Sequence, residues 1–460
     1  MRLSGFLARA VCALLLLATA GAARADTVEH SLANGLRVIV KPDRRAPVAV
    51  VMLCYKVGSV DEVNGTTGVA HVLEHMMFKG TRSVPAGEYS RLIAAAGGRD
   101  NAFTSNDFTG YFALLHASQL ELALRLEADR MTNLVLSPEE FAKEIKVVME
   151  ERRLRTEDRP HALAYEQLMA TALLAHPYRN PIIGWMNDLE NLRVEDAREF
   201  YERWYAPNNA ILIVVGDVEP QRVFALAERH FGPIPARALP PRKPQEEPAQ
   251  RGVRRAQVKA PAELPYVLMT FRVPVLRDPE RDWEPYALEM LAAVLSGNEA
   301  ARLPRSLVRE QRVASSAGAS YDGVARGPGF FYLSATPTPG KSAAEAEQAL
   351  LSEMQRIIEE GVTEEELERI KAQALAAHVF QRDSMFFQAR QIAVLETAGI
   401  SHRTIDLQLR KLREVTPEQV REVARKYFLE EALTVVHLVP QPLAGRRPAP
   451  PPPAGLRHVP

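Results

Sequence analysis

Valine and leucine crowd positions 36–40 and 48–57, and a Pro/Asp/Arg turn separates the two runs. Short apolar runs bounded by turn residues predict strands, here two that pair across the turn. The apolar spacing then changes to three and four, which predicts helices over 67–78, 87–96, 118–132 and 137–155. A mixed stretch containing His176-Pro177-Tyr178 leads to a helix near 194–204, a strand over 210–215 and a helix over 220–230. From Pro233 to about Pro261 the chain is dense in Pro, Arg, Gln and Glu without apolar periodicity, so 236–260 reads as an interdomain linker.

The same order then returns. A strand over 266–273, helices near 283–295, strands around 330–335, two long helices and a last strand over 433–438 make the second half a copy of the first. The expected fold class is α+β: two homologous α/β-sandwich halves, 26–235 and 261–440, each a mixed sheet packed with helices. Laying Phe78-Lys79-Gly80 over Leu295-Ser296-Gly297 sets His71, Glu74 and His75 against Leu288, Leu291 and Ala292. Chemistry is therefore expected in the first half. Past Leu438 the chain turns Pro-rich, and 441–460 reads as an extended, mostly disordered tail.

Charge and cysteine narrow the setting. Lys plus Arg (57) balances Asp plus Glu (57) over 460 residues, so no overall field draws the chain to nucleic acid or an anionic membrane. Residues 1–25 read as a signal peptide: Arg2 and Arg9 form a basic start, 11–20 an apolar run, and Ala23-Arg24-Ala25 a small-x-small cleavage site. An exported protein, periplasmic or secreted, beginning at Asp26 is the expectation. The apolar run is short of the ~20 residues a spanning helix needs, and no later segment reaches that length, so stable membrane insertion is not expected. With the signal removed Cys54 stands alone, and its apolar surroundings suit a buried small hydrophobe rather than a nucleophile.

Four residues separate His71 from His75, so on a helix both imidazoles leave one face a turn apart, an arrangement that grips one metal ion. Glu74 lies beside them. Gly65-Thr66-Thr67-Gly68 offers a helix start with a threonine as N-cap, and the neighbours Val69, Ala70, Val72, Leu73, Met76, Met77 and Phe78 predict a buried helix. Leaving a polar group there unpaired costs roughly 1–3 kcal/mol, which favours a metal over core histidines satisfied by side chains. A catalytic zinc site wants a third protein ligand and an open position. The helix over 137–155, with Ser137-Pro138-Glu139-Glu140 as its capping box, offers Glu144, Glu150 and Glu151, and periodicity does not choose among them. The N/O donor set suits several divalent metals.

His71-Val72-Leu73-Glu74-His75-Met76-Met77-Phe78-Lys79-Gly80-Thr81 resembles the zinc helix of the pitrilysin/insulinase peptidase family, whose motif is His-x-x-Glu-His. The resemblance runs on through Asn101-Ala102-Phe103-Thr104, the paired Glu144 and Glu151, His176-Pro177-Tyr178, Pro181, Gly184, 205–210 and Gly216-Asp217. It implies one zinc per chain held by His71, His75 and Glu151, with Glu144 orienting the site and Glu74 as general base on the water that attacks a peptide carbonyl. It implies a clamshell of two halves, and a peptide substrate lying extended along Asn101, Ala102, Phe103 and Thr104. The second half departs from the pattern: where the resemblance expects an arginine and, seven residues on, a tyrosine, this chain has Val308 and Ser315. A shift by one restores Arg309 but places Ser316 at the tyrosine. Two-chain relatives suggest a zinc-bearing subunit of a hetero-oligomer with a homologous zinc-lacking subunit, or a homodimer. The rival reading is a non-catalytic structural or peptide-binding subunit of the same fold.

Overall fold

The structure is a computed structural model, and it describes residues 27–443. The expected signal peptide, 1–25, and nearly all of the expected tail, 441–460, lie outside the described residues. The first half builds a six-stranded sheet from β1 (Val28–Ser31), β2 (Arg37–Pro42), β3 (Val48–Tyr55), β4 (Arg99–Thr104), β5 (Thr109–His116) and β6 (Ala210–Gly216), in the order β1-β2-β6-β3-β5-β4. The second half builds five strands, β7 (Arg254–Pro261), β8 (Tyr266–Val273), β9 (Ala314–Tyr321), β10 (Gly329–Pro337) and β11 (Leu433–Gln441), in the order β7-β11-β8-β10-β9. The sheets are topological copies. The last strand of each half runs parallel to its first-laid neighbour, β6 to β2 and β11 to β7, and antiparallel to β3 or β8.

Two expectations are corrected. The runs at 36–40 and 48–57 do form strands, but they do not pair with each other, because β6 inserts between them. The short connection over 43–47 steps across that third strand, a gap of roughly 10 Å. The expected linker also ends early: its last residues are strand β7, an edge strand in which inward Arg254, Ala256, Val258 and Ala260 alternate with exposed Arg255, Gln257 and Lys259. The remainder is held down, since the Glu247 carboxylate accepts the N–H groups of Leu174, Ala175 and His176 at 2.7, 2.8 and 2.9 Å.

Five helices place the site: α1 (Val69–Met76), α2 (Pro138–Arg152), α3 (Pro160–Ala172), α4 (Glu284–Ser296) and α5 (Met385–Thr397). One face of the first sheet, with Val38, Val51 and Leu53, shares a core with Val72, Leu73 and Met76 of α1. In the second half Met269, Phe271 and Leu333 share a core with Leu288 and Leu291 of α4, the positions that correspond to His71 and Glu74. The other face of each sheet is covered by a helix from the opposite half. Ile39, Val50, Met52 and Ile213 meet Ala389, Ile392 and Ala393 of α5, while Leu268, Phe330, Tyr332 and Val436 meet Ala164, Leu168 and Met169 of α3. Burial on both faces is why β3 and β6 read as continuous apolar runs. Cys54 lies in the first of these packed faces, fully buried as expected, and burial pushes its thiol far up. No helix among the described residues is long and apolar enough to cross a membrane.

Candidate metal centre

All eight residues of α1 are buried. Its start is not the expected threonine cap: Gly68 occupies the cap position at φ +88°, and two carboxylates take the amide protons. Glu62 Oε2 accepts Gly68 N at 2.9 Å and its Oε1 accepts Ala70 N at 2.8 Å. Asp188 Oδ2 accepts Thr67 N at 3.1 Å and the Thr67 hydroxyl at 2.6 Å, while Trp185 N donates to that same hydroxyl at 3.0 Å. Burial pushes the Glu62 carboxyl up to about 8 although both of its oxygens accept backbone N–H groups. Neither Glu62 nor Asp188 stood out in the sequence, because each reaches the helix start from outside it, Glu62 from the preceding loop and Asp188 from the short helix Met186–Asn191.

On α1 the rings of His71 and His75 meet edge-on with centroids 4.8 Å apart. Opposite them α2 presents Glu144 and Glu151 on one face, both buried, whereas Glu150 points out and pairs with Arg153 at 3.0 Å. Glu151 Oε2 lies 3.3 Å from His75 Nε2 and 3.9 Å from His71 Nε2. One donor atom from each of His71, His75 and Glu151 falls within 4.8 Å of the others. A tetrahedral N/O zinc site with bonds near 2.0–2.1 Å has edges of roughly 3.3 Å; the Glu151–His75 separation matches that edge and the other separations are longer, a donor set that a divalent ion would draw together.

Around the three donors lies a fixed outer frame. His75 Nδ1 is 2.9 Å from Glu144 Oε1, whose other oxygen receives Lys79 Nζ at 2.5 Å. Burial works against the Glu144 charge, but His75 and Lys79 outweigh it and hold the carboxyl below its ordinary range. Arg155, in the π-turn Arg153–Glu157 that continues α2, places Nη1 2.9 Å from Glu151 Oε1. Glu74 is fully buried, and the Thr104 hydroxyl donates to its Oε2 at 2.5 Å.

The expected substrate strand is β4, at the open edge of the first sheet. Phe103 and Thr104 reach the metal-site cavity, a space of about 290 Å³ that is also lined by His71, Glu151, Arg155 and Tyr165. Ala102 is buried, and Asn101 turns its side-chain carbonyl back on the Ala102 N–H at 2.9 Å. On the second half, Val308 is half-buried and the Ser315 hydroxyl donates to the Thr336 carbonyl of its own sheet at 3.1 Å.

Residues 37–185 match the family described as Insulinase (Peptidase family M16), and residues 191–374 match the description Peptidase M16 inactive domain. Zinc protease PqqE of Helicobacter pylori is 32% identical over 415 residues, which cover 89% of this chain and 92% of that protein. The crystal structure of a protease from Helicobacter pylori superposes with a TM-score of 0.86 at 31% identity, over 90% of this chain and 100% of the other. The periplasmic protease PqqL of Escherichia coli shares the fold, with a TM-score of 0.77 at 22% identity, over 93% of this chain but 49% of its own. Taken with the His-x-x-Glu-His helix and the doubled sheet, these matches show that the chain belongs to the insulinase family of peptidases, family M16.

Proposed function

We propose that the protein is a zinc-dependent endopeptidase that hydrolyses peptides or unfolded polypeptides, with one zinc per chain on His71, His75 and Glu151. The convergence of these three donors beside Glu74, with His71 and Glu151 lining the cavity, carries the reading. When bound, the ion supplies Lewis acidity, acidifying water and polarising a carbonyl. Glu74 takes the proton of the attacking water and returns it to the leaving amine, and Thr104 fixes the rotation of its carboxylate through Oε2. Glu144 keeps the His75 ring turned toward the site through Nδ1. An extended peptide adds to the edge of β4, and any strand that uses the Ala102 N–H displaces the Asn101 side chain from it.

The reading includes export to the periplasm or medium, supported by the basic, apolar and small-x-small order of residues 1–25. It also includes a partner, a homologous zinc-lacking subunit or a second copy. Val308 and Ser315 supply no cation or phenol from the second half, and the chain matches about half the length of the Escherichia coli protein, 49%. The same departure favours one alternative, a non-catalytic structural or peptide-binding subunit.

The deciding experiment is cleavage of a mixed peptide library by the zinc-loaded chain alone, with Glu74→Gln as control. Removing the base is expected to lower the rate by about 10²–10⁴ while zinc content and folding stay unchanged. Stoichiometric zinc without cleavage points to a missing subunit. Neither zinc nor cleavage supports the non-catalytic reading and ends the proposal.

A further inference from the structure

All the lining residues of the metal-site cavity come from the first half, and two of them, Arg155 and Arg179, carry positive charge. Arg179 is tied to the Leu174 carbonyl at 2.9 Å. Arg155 is placed differently. The α-helix stops at Arg152, and the π-turn Arg153–Glu157 brings this guanidinium over Glu151. Turns of that kind inside helices recur at functional sites. Glu151 is thereby shared, with Oε1 toward Arg155 Nη1 and Oε2 toward His75 and His71. Only the Glu151 carboxylate stands between the guanidinium and the two histidines, and Arg155 lines the same cavity as His71 and Glu151. Its planar fork of five donors can hold a carboxylate oxygen and a second oxygen at once.

We propose that Arg155 is a further catalytic residue, the cationic donor that this chain supplies to the oxygen of the reacting carbonyl as that oxygen gains charge. The inference rests on the peptidase reading above. In the step it serves, the water oxygen bonds to the carbonyl carbon and its proton goes to Glu74. The carbonyl π pair moves onto oxygen; on collapse the C–N bond breaks and the proton passes to the amine nitrogen. Arg155 forms no covalent bond and keeps its charge throughout. A fixed donor aimed at developing charge stabilises the tetrahedral state more than the substrate.

The test uses the full, zinc-loaded chain as wild type, Arg155→Met and Arg155→Lys. Three quantities are measured: affinity for a mixture of phosphinic peptides with randomised flanking positions, which mimic the tetrahedral state; affinity of the Glu74→Gln forms for oxidised insulin B chain; and zinc affinity by chelator competition. Phosphinate affinity is expected to fall about 10²-fold in Arg155→Met and less in Arg155→Lys, while B-chain and zinc affinities change by less than about threefold. Unchanged phosphinate affinity overturns the proposal, and so does a parallel loss of zinc affinity, which would make Arg155 only a positioning residue for Glu151. A wild type that binds phosphinates no better than B chain fails before any variant is compared; that result sinks the peptidase reading and this inference with it.

Discussion

His75 and Glu74 are neighbours in sequence and face opposite demands on protons. Burial alone would lower His75, but its bonds to Glu144 and Glu151 outweigh burial and raise it to about 9 in the metal-free protein. Such an imidazole is protonated at neutral pH, whereas a metal ligand must be neutral. Zinc uptake at pH 7 is therefore expected to release about one proton, with affinity rising about tenfold per pH unit until pH approaches 9. Calorimetry in two buffers of different ionisation heat measures that proton; a count near zero would contradict the assignment. His71, Glu74 and His75 were legible because helical spacing alone brings them together. Glu151 was legible only as one of three glutamates, and the resemblance selected it. Glu62, Asp188 and Arg155 were not legible, since their contacts depend on a loop, a distant short helix and a π-turn that no periodicity announces.

At the scale of elements, α1 owes its position to close backbone approach at its first turn. A Cβ on Gly68 would stand 2.6 Å from the Ile183 carbonyl oxygen, at a φ of +88°. Gly65, at φ +95°, has nothing within 4 Å of the same added atom. Gly65→Ala is thus expected to cost only the left-handed strain, about 1–2 kcal/mol. Gly68→Ala adds the collision, about 1–3 kcal/mol more, and should also weaken zinc affinity by shifting His71. Thermal melts of the two variants with and without zinc test this, and equal losses would refute the docking role of Gly68. Strands buried on both faces could be read from their apolar runs, as β3 and β6 were. Edge strands were harder: β4 was expected only through the resemblance, β7 alternates Arg, Gln and Lys with Ala and Val and was assigned to the linker, and β9 carries mostly small or polar side chains and was missed. The pairing of β2 with β3 was misread because a turn that normally closes a hairpin here crosses over β6.

At the scale of the molecule, the connection between halves is mutual. Arg326 of the second half reaches Asp61 at 2.8 and 3.1 Å, and its N–H reaches Asp107 at 2.9 Å. Glu396 at the end of α5 accepts Arg37 Nη1 of β2 at 2.6 Å and His402 N at 2.8 Å. Burial opposes that carboxylate's charge, yet the bonds from His402 and Arg37 pull it down to about 2. Because its folded value lies below the ordinary 4.5, its contribution is present above about pH 4.5 and is lost as pH falls toward 2. Urea titrations should give the wild type about 2–3 kcal/mol over Glu396→Gln at pH 6 and a shrinking margin below pH 4.5. A margin that does not depend on pH would exclude the ion pair as its source. Two similar halves were visible in the order of elements, but the exchange of α3 and α5 was not. Each is an apolar helix whose target sheet is set by chain path rather than by its own pattern.

That exchange fixes an order of events during synthesis. The face of the first sheet that holds Ile39, Val50, Met52 and Ile213 is complete once β6 has emerged, yet its cover, α5, comes only near the end of the chain. In the interval a nascent chain carries a naked apolar sheet surface, the kind of face that chaperones hold and that aggregates when unattended. A ribosome stalled before residue 385, or a chain cut there, would leave a first half with its metal donors in sequence and one side of its sheet open to any apolar partner.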